Sequence, residues 1–290
     1  MKTMHGKICL ITGGTNGIGK SAALALARLG ATVVIVGRSA EKTRKVVEEI
    51  RLATGSQNAD SLLADLSSQQ DIRRLASDFK RQYSRLDVLL NNAGGTYLTR
   101  QLSVDGIEMT FALNHLAYFL LTNLLLDTLK ASAPARVINV SSDAHANGKI
   151  QFDNLQGERS YSGLGPYGAS KLANILFTTE LARRLEGTGV TVNALHPGLT
   201  STGFGKNNPG LLMTIMGVII PLIARSPAKG AGTSVYLASS PDVQGISGKY
   251  FVNSKVAKAA PQAADSAVAR QLWDVSAELV HLTDNVPARV

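Results

Sequence analysis

The chain has 290 residues, 44% hydrophobic and 18% charged, a soluble-globular balance with apolar material for one sizeable core. Its formal net charge is +9, yet Lys and Arg are spread out and interleaved with acids, as over residues 41–51, so no nucleic-acid-binding block is expected. One cysteine, Cys9, rules out an intramolecular disulfide framework; with no charged-then-apolar leader and no apolar run of about 18 residues, a cytoplasmic chain without a membrane span is expected.

Apolar runs of strand length alternate with amphipathic stretches of helix length. A strand at 8–12 leads into a helix at 17–29, and a strand rich in β-branched residues at 32–36 into a helix at 40–53. A short strand at 61–64 precedes a helix at 69–83, and a strand at 88–90 precedes one long helix or two within 106–130. A strand at 136–140, a helix at 167–185, a strand at 191–195 and a helix at 228–238 follow; a last strand at 249–252 and a helix at 266–282 close the pattern. Continuous apolar strands between helices argue for a parallel sheet covered on both faces. The fold class is therefore α/β, a doubly wound Rossmann-type parallel sheet in a single domain spanning 1–290.

The first strand ends in Thr12-Gly13-Gly14-Thr15-Asn16-Gly17-Ile18-Gly19. A strand-to-helix turn of this kind lets a pyrophosphate approach the backbone, and the following helix offers free N–H groups and its positive dipole end. The spacing is Gly-x-x-x-Gly-x-Gly, unlike the general Gly-x-Gly-x-x-Gly fingerprint. The second strand ends in Gly37-Arg38-Ser39. An acid there would bind ribose hydroxyls and repel a 2′-phosphate. A guanidinium stands in its place, suited to bidentate phosphate binding and adenine stacking, with Lys42 one turn further on. NADP(H) is the expected cofactor. Three later signals follow in order: Asn91-Asn92-Ala93-Gly94 after the fourth strand, the pair Ser141-Ser142, and Tyr167-Gly168-Ala169-Ser170-Lys171. The last places a phenol and an ammonium on one helix face.

Together these signals resemble the short-chain dehydrogenase/reductase family, from about Lys7 to the C-terminal region. The long Ser142-to-Tyr167 spacing resembles the retinol-dehydrogenase-like and WW-domain-oxidoreductase-like branch, as do Asn114-His115-Leu116, Ser141-Ser142-Asp143-Ala144-His145, Ser170-Lys171-Leu172-Ala173-Asn174 and Gly248-Lys249-Tyr250-Phe251. The resemblance implies Tyr167 as proton donor and acceptor and Ser142, rather than Ser141, as the group orienting the carbonyl. It implies Lys171 as the cation that activates Tyr167, and Asn114 as the holder of a water in a relay toward Lys171. A phenol of pKa about 10 must fall about three units, about 4 kcal/mol, to act as a base at neutral pH; one cation near 4 Å at an effective dielectric of about 20 supplies that much.

For the cofactor, the resemblance implies contacts from Gly13, Thr15, Asn16, Gly17, Ile18 and Gly19, and from Arg38. Asp65 would accept from the adenine amino group, with Leu66 on the ring; Asn91 would contact cofactor and hold the central strand, while Ala93 and Gly94 give it room. Tyr167 and Lys171 contribute again, Pro197 and Gly198 shape the nicotinamide pocket, the backbone near Thr200 reads the carboxamide, and Thr202 binds diphosphate. Asn16 is neutral where some NADP-dependent relatives are basic, so NAD(H) use stays open. His196 is read as part of the turn motif rather than as a base, and the five histidines show no metal spacing.

Residues 211–223 are almost wholly apolar, including Met213, Met216 and Pro221. A segment of about 203–226 is expected to cover an apolar substrate, with a homo-oligomer or a peripheral membrane contact as the other readings. The function expected is NADP(H)-dependent interconversion of a small-molecule carbonyl and its alcohol. The alternatives are a retinoid- or steroid-type alcohol dehydrogenase with dual cofactor use, and a non-catalytic NADP sensor on the same fold.

Overall fold

A computed structural model describes residues 3–198 and 226–282 of the chain. Thr200, Thr202 and the cover segment expected at about 203–226 (but for Ser226) lie outside the described residues. Within them, β1 (Ile8–Thr12), β2 (Thr32–Gly37), β3 (Ala59–Leu63), β4 (Val88–Asn91), β5 (Ala135–Val140), β6 (Val190–His196), β7 (Tyr250–Val252) and β8 (Lys255–Ala257) form one sheet in the order β3-β2-β1-β4-β5-β6-β7-β8. Strand order reverses between β1 and β4, and this topological switch point is where an open α/β sheet forms its ligand crevice.

Two apolar layers flank the sheet because successive strand side chains point to opposite faces. Leu10, Val34 and Val36 join one cluster, which takes Leu75 and Phe79 of α3 (Gln69–Gln82), Leu120 and Leu121 of α4 (109–124), Leu172 and Leu176 of α6 (Gly165–Arg184) and Leu272 and Trp273 of α8 (Ser266–Leu279). Cys9, Ile11, Val33 and Ile35 join the other, packed on Leu26 of α1 (Gly17–Arg28), Ile50 of α2 (Ala40–Thr54) and Leu237 of α7 (Pro227–Ser239). The Cys9 thiol is fully enclosed, and burial, with the Asp87 charge adding, holds it firmly protonated. Among the described residues no helix is long and apolar enough to cross a membrane.

The sheet departs from the expected pattern at its end. The strand at 249–252 is not the last: β8 pairs antiparallel with β7, Val252 opposite Lys255. Asn253 and Ser254 sit at φ 51° and 61°, the left-handed pair that a two-residue hairpin turn demands. Three residues and an Asn-Ser turn gave too little alternation to read. The region expected as one long helix or two is continuous to Leu124, then resumes as α5 (Leu126–Ala131). Its start is unusual: Ala112–Leu116 form a π turn in which the Ala117 N–H bonds the Ala112 carbonyl, five residues back.

Asp87 ties the leading ends of β1 and β4 together. It is 2% exposed; its Oδ2 accepts from the Ile8 amide at 2.9 Å and from Arg85 Nε at 2.8 Å, and its Oδ1 pairs with Lys7 Nζ at 2.9 Å. Burial works to raise its pKa, but Arg85, the Ile8 amide and Lys7 together hold the carboxyl below its usual range. A depressed folded-state pKa contributes stability that is present above the unfolded value and lost as pH falls through the folded one. The partner cations are themselves about a third to a half exposed, which discounts the pairing. Asp87→Ala should therefore cost about 2 kcal/mol in urea unfolding at pH 7, and the difference from wild type should shrink below about pH 4. A variant that melts with wild type at pH 7 would remove Asp87 from the account of the sheet.

Candidate active site

The glycine turn after β1 is clamped by the loop after β4. Thr12 Oγ1 accepts from the Asn92 and Ala93 amides at 2.8 and 3.0 Å, while Asn92 Nδ2 donates to the Thr12 and Gly13 carbonyls at 2.8 and 3.3 Å. The fit is tight. A Cβ on Gly19 would stand 2.3 Å from the Gly13 carbonyl oxygen, and one on Gly13, at φ 65°, 2.9 Å from Ala93 Cα. Asn16 caps α1, its Oδ1 accepting from the Gly17 amide at 2.7 Å, and no acid stands in the helix's first turn. The turn therefore presents Thr15, Asn16, Gly17 and Ile18 at a positive, acid-free helix end. Thr12 and Asn92 were not singled out from sequence; only their reciprocal bonding across two loops marks them.

Asn91 was expected to contact the cofactor and to hold the central strand. Its side chain is wholly enclosed, donating to Thr122 Oγ1 at 3.0 Å and Asn139 Oδ1 at 2.9 Å, so it acts as a buried rung between β4, α4 and β5. Asn139 continues the rung to Thr178 at 2.9 Å. Any ligand contact by Asn91 must run through its backbone.

At the tip of β2, a Cβ on Gly37 would stand 2.5 Å from Thr15 Cγ2, so the glycine turn and the Arg38 corner are in contact. Arg38 is 65% exposed and faces Asp65 across 4.0 Å, Nη1 to Oδ2. Asp65 spends its Oδ1 on the Ser67 amide and hydroxyl at 3.0 and 2.7 Å, while Leu66 is buried against the core. Ser39 caps α2, accepting from the Lys42 amide at 3.3 Å. A guanidinium, a hydroxyl and a helix N-terminus thus meet at one corner.

The chemical residues converge where β5 meets α6. Ser141 is committed to structure: buried, it donates to the Lys171 carbonyl at 2.7 Å. Ser142 caps the short helix Asp143–Asn147 and its hydroxyl bonds the Tyr167 side chain. Lys171 is 4% exposed, its ammonium donating to the Val140 carbonyl at 3.1 Å and lying 5.6 Å from the centre of the Tyr167 ring. Asn114, inside the π turn, clasps the Gly95 backbone on both sides, accepting from its amide at 2.8 Å and donating to its carbonyl at 2.9 Å. It also donates to Ser170 Oγ at 3.0 Å, and Ser170 donates in turn to the Tyr167 carbonyl at 2.8 Å. A Cβ on Gly94 would meet Asn114 Oδ1 at 3.1 Å and Lys171 Nζ at 3.5 Å, so that glycine keeps the floor of the site open.

Burial dominates the electrostatics of the phenol and the ammonium. Burial pushes Tyr167 up to about 12, with the Ser142 hydroxyl pulling the other way, and burial pushes Lys171 down to about 8. As it stands, Tyr167 holds its proton at neutral pH. It is an acid first.

Two histidines frame the cluster without entering it. His145 Nδ1 lies 2.7 Å from the Ser142 carbonyl and its Nε2 accepts from the Ala260 amide at 3.0 Å, pinning the segment before α8 beneath Ser142. His196 Nε2 stands 2.9 Å from Asp143 Oδ2, and its Nδ1 accepts from the Asp143 amide at 3.1 Å. Pro197 and Gly198, the latter at φ 82°, follow directly and end the described stretch. Among the described residues no group of three or more His, Cys, Asp or Glu side chains is placed to hold a metal ion.

Residues 7–209 match the family model described as short chain dehydrogenase. The chain is 44% identical over 289 residues to retinol dehydrogenase 14 of Mus musculus, covering 96% of this chain and 86% of that one. It is 45% identical over 285 residues to human retinol dehydrogenase 13, covering 97% and 86%. Among solved structures, an uncharacterised protein from Mycobacterium paratuberculosis aligns with a TM-score of 0.76 at 30% identity, over 96% of this chain and 94% of that one. A short chain dehydrogenase from Shigella flexneri complexed with NADP aligns with a TM-score of 0.69 at 27% identity, over 88% and 99%. With the glycine turn, the Ser142–Tyr167–Lys171 cluster and this similarity along nearly its whole length, the chain belongs to the short-chain dehydrogenase/reductase family, retinol-dehydrogenase-like, and is an oxidoreductase.

Proposed function

We propose that the protein interconverts a carbonyl and its alcohol on an apolar substrate, with NADP(H) as cofactor and Tyr167 as the proton donor and acceptor. The observation that carries this reading is the Tyr167 phenol bonded to the Ser142 hydroxyl and set beside the buried Lys171 ammonium. The residues fit a nicotinamide dinucleotide: an acid-free helix end at the glycine turn for the diphosphate, Arg38 and Ser39 at the β2 tip for a 2′-phosphate, and an open floor at Gly94. When bound, the nicotinamide supplies or takes the hydride. The chain handles the proton.

Ser142 donates to the substrate oxygen and fixes its place. Tyr167 gives its proton to the oxygen as negative charge develops there, a role suited to a phenol held near 12. In the opposite direction Tyr167 must release that proton, and the Lys171 charge stabilises the phenolate that results. An apolar substrate is supported by the relatives, which are named retinol dehydrogenases, and a retinoid-type alcohol or aldehyde falls within that class.

Tyr167→Phe should lower carbonyl reduction about 10²–10⁴-fold while NADPH binding, followed by its fluorescence, survives. A Phe variant keeping more than about a tenth of the wild-type rate would sink the assignment.

Cofactor choice is assigned to Arg38. Arg38→Asp exchanges attraction for repulsion of the 2′-phosphate and should raise the NADPH Michaelis constant about tenfold or more, with NADH use level or improved. An unchanged NADPH-to-NADH ratio would move the phosphate site elsewhere.

A further inference from the structure

Lys171 carries its charge in an unusual setting. Among the described residues no carboxylate lies within ion-pair distance of it. Its described contacts are the Val140 carbonyl and two aromatic rings, Tyr167 at 5.6 Å and Tyr118 at 5.9 Å from ring centre to Nζ. Tyr167 belongs to its own helix. Tyr118 comes from α4 and plays no part in the chemistry described above.

Tyr118 is 1% exposed, and its hydroxyl has no hydrogen-bond partner among the described residues. A buried, unpartnered hydroxyl is a net cost in a core, where Phe would fill the same space without it. Burial, with Tyr167 adding, holds this phenol protonated. The π turn explains how the ring arrives. One extra residue in the turn rotates everything after it by about 100° relative to a plain α-helix. Asn114 lies inside the turn and Tyr118 just beyond it, and both reach the α6 face that carries Lys171.

We propose that Tyr118 is a positioning residue for proton transfer, whose ring face holds the Lys171 ammonium in its charged form. The inference rests on the reading of Tyr167 and Lys171 as the proton-handling pair. A cation within about 6 Å of an aromatic centre is attracted by the ring quadrupole, and most strongly when both are desolvated. Among the described residues, the ionisable groups given contacts with Lys171 are Tyr167 on α6 and Tyr118 on α4; β5 offers the Val140 carbonyl, and Gly94 of the loop after β4 lies beside Lys171 and the Asn114 amide. The ring therefore answers the desolvation that lowers Lys171. Loss of the ring lowers the Lys171 midpoint further, so that it discharges at lower pH.

The test uses the full chain labelled with ε-¹³C lysine, its Lys171 resonance assigned by loss in Lys171→Arg. In the cofactor-free protein, Tyr118→Leu and the longer, more adaptable Tyr118→Met should lower the Lys171 midpoint by about half a unit to one and a half units, whereas Tyr118→Phe, which keeps the ring, should leave it in place. The alkaline limb of kcat/KM for aldehyde reduction should move down with the Leu and Met variants and stay with Phe. Thermal melts identify a variant that fails to fold; Met replaces Leu in that event. Unchanged midpoints in folded Leu and Met variants overturn the proposal, as does a Phe variant that shifts as far as they do. Tyr167→Phe runs alongside. If it retains full activity, the reading of the proton-handling pair is at fault; if it is inactive while the Lys171 midpoint ignores Tyr118, only the role given to Tyr118 falls.

Discussion

The ammonium of Lys171 is enclosed at 4% exposure with no carboxylate beside it among the described residues, and that constraint dictates the layout around it. Removing such a charge from water costs several kcal/mol unless nearby dipoles replace the lost hydration. The carbonyl of Val140 does part of this, shared with the Asn174 amide at 3.3 Å. It can do so because β5 stops there: beyond Val140 the chain leaves the sheet and enters the serine pair. The strand end, the serines and the helix that brings Tyr167 are thus tied to one charge. A carboxylate would have satisfied Lys171 more fully, but it would also have fixed the field that the phenol needs.

The second organising element is the pair of polar clamps at the carboxyl ends of the strands. Thr12 and Asn92 lock the glycine turn to the loop after β4, and Asn114 locks the next residues of that loop, at Gly95, to the helix above. Both sites, the dinucleotide turn and the chemical cluster, hang on the same short stretch from Asn92 to Gly95. Asn91 is the last sheet residue before it, anchored by Thr122 and Asn139 beneath. Geometry at the phosphate end and at the reacting end is therefore transmitted through four consecutive residues rather than through the packed core.

Much of this was legible in the sequence because it depends on local pattern. Apolar runs and helix periodicity gave the parallel sheet, and the glycines, Arg38, Ser142, Tyr167 and Lys171 stand in short motifs that carry the family resemblance. What escaped reading depends on partners far apart in the chain. Thr12 pairs with Asn92 across roughly eighty positions, His145 with Ala260 across more than a hundred, and neither residue is distinctive alone. The β7–β8 hairpin escaped because its turn, Asn253-Ser254, lacks the glycine that usually announces two left-handed residues. The strand-holding role of Asn91 was expected, but not its partners: its register against Asn139 turns the side chain into the core, where Thr122 and Asn139 meet it. The phenol's resting state needed the burial of both partners, which no spacing rule conveys.

The π turn over Ala112–Leu116 makes the register of α4 a matter of residue count as much as of residue type. Helical faces usually tolerate substitution better than insertion, and here the tolerance is lopsided. Loss of one residue from the turn restores ordinary winding with the later side chains still on their present faces, because the π turn already absorbs one extra residue, whereas gain of another residue, or rewinding of the turn at its present length, swings every later side chain by about 100°. Phe119, Leu120 and Leu121 would leave the core cluster they now share with Phe177 and Trp273, in step with Tyr118 leaving Lys171. Insertion or rewinding in this helix therefore couples folding to chemistry, while a one-residue deletion inside the turn leaves Glu108, which caps the helix start, and Thr122, which grips Asn91, in their present relation.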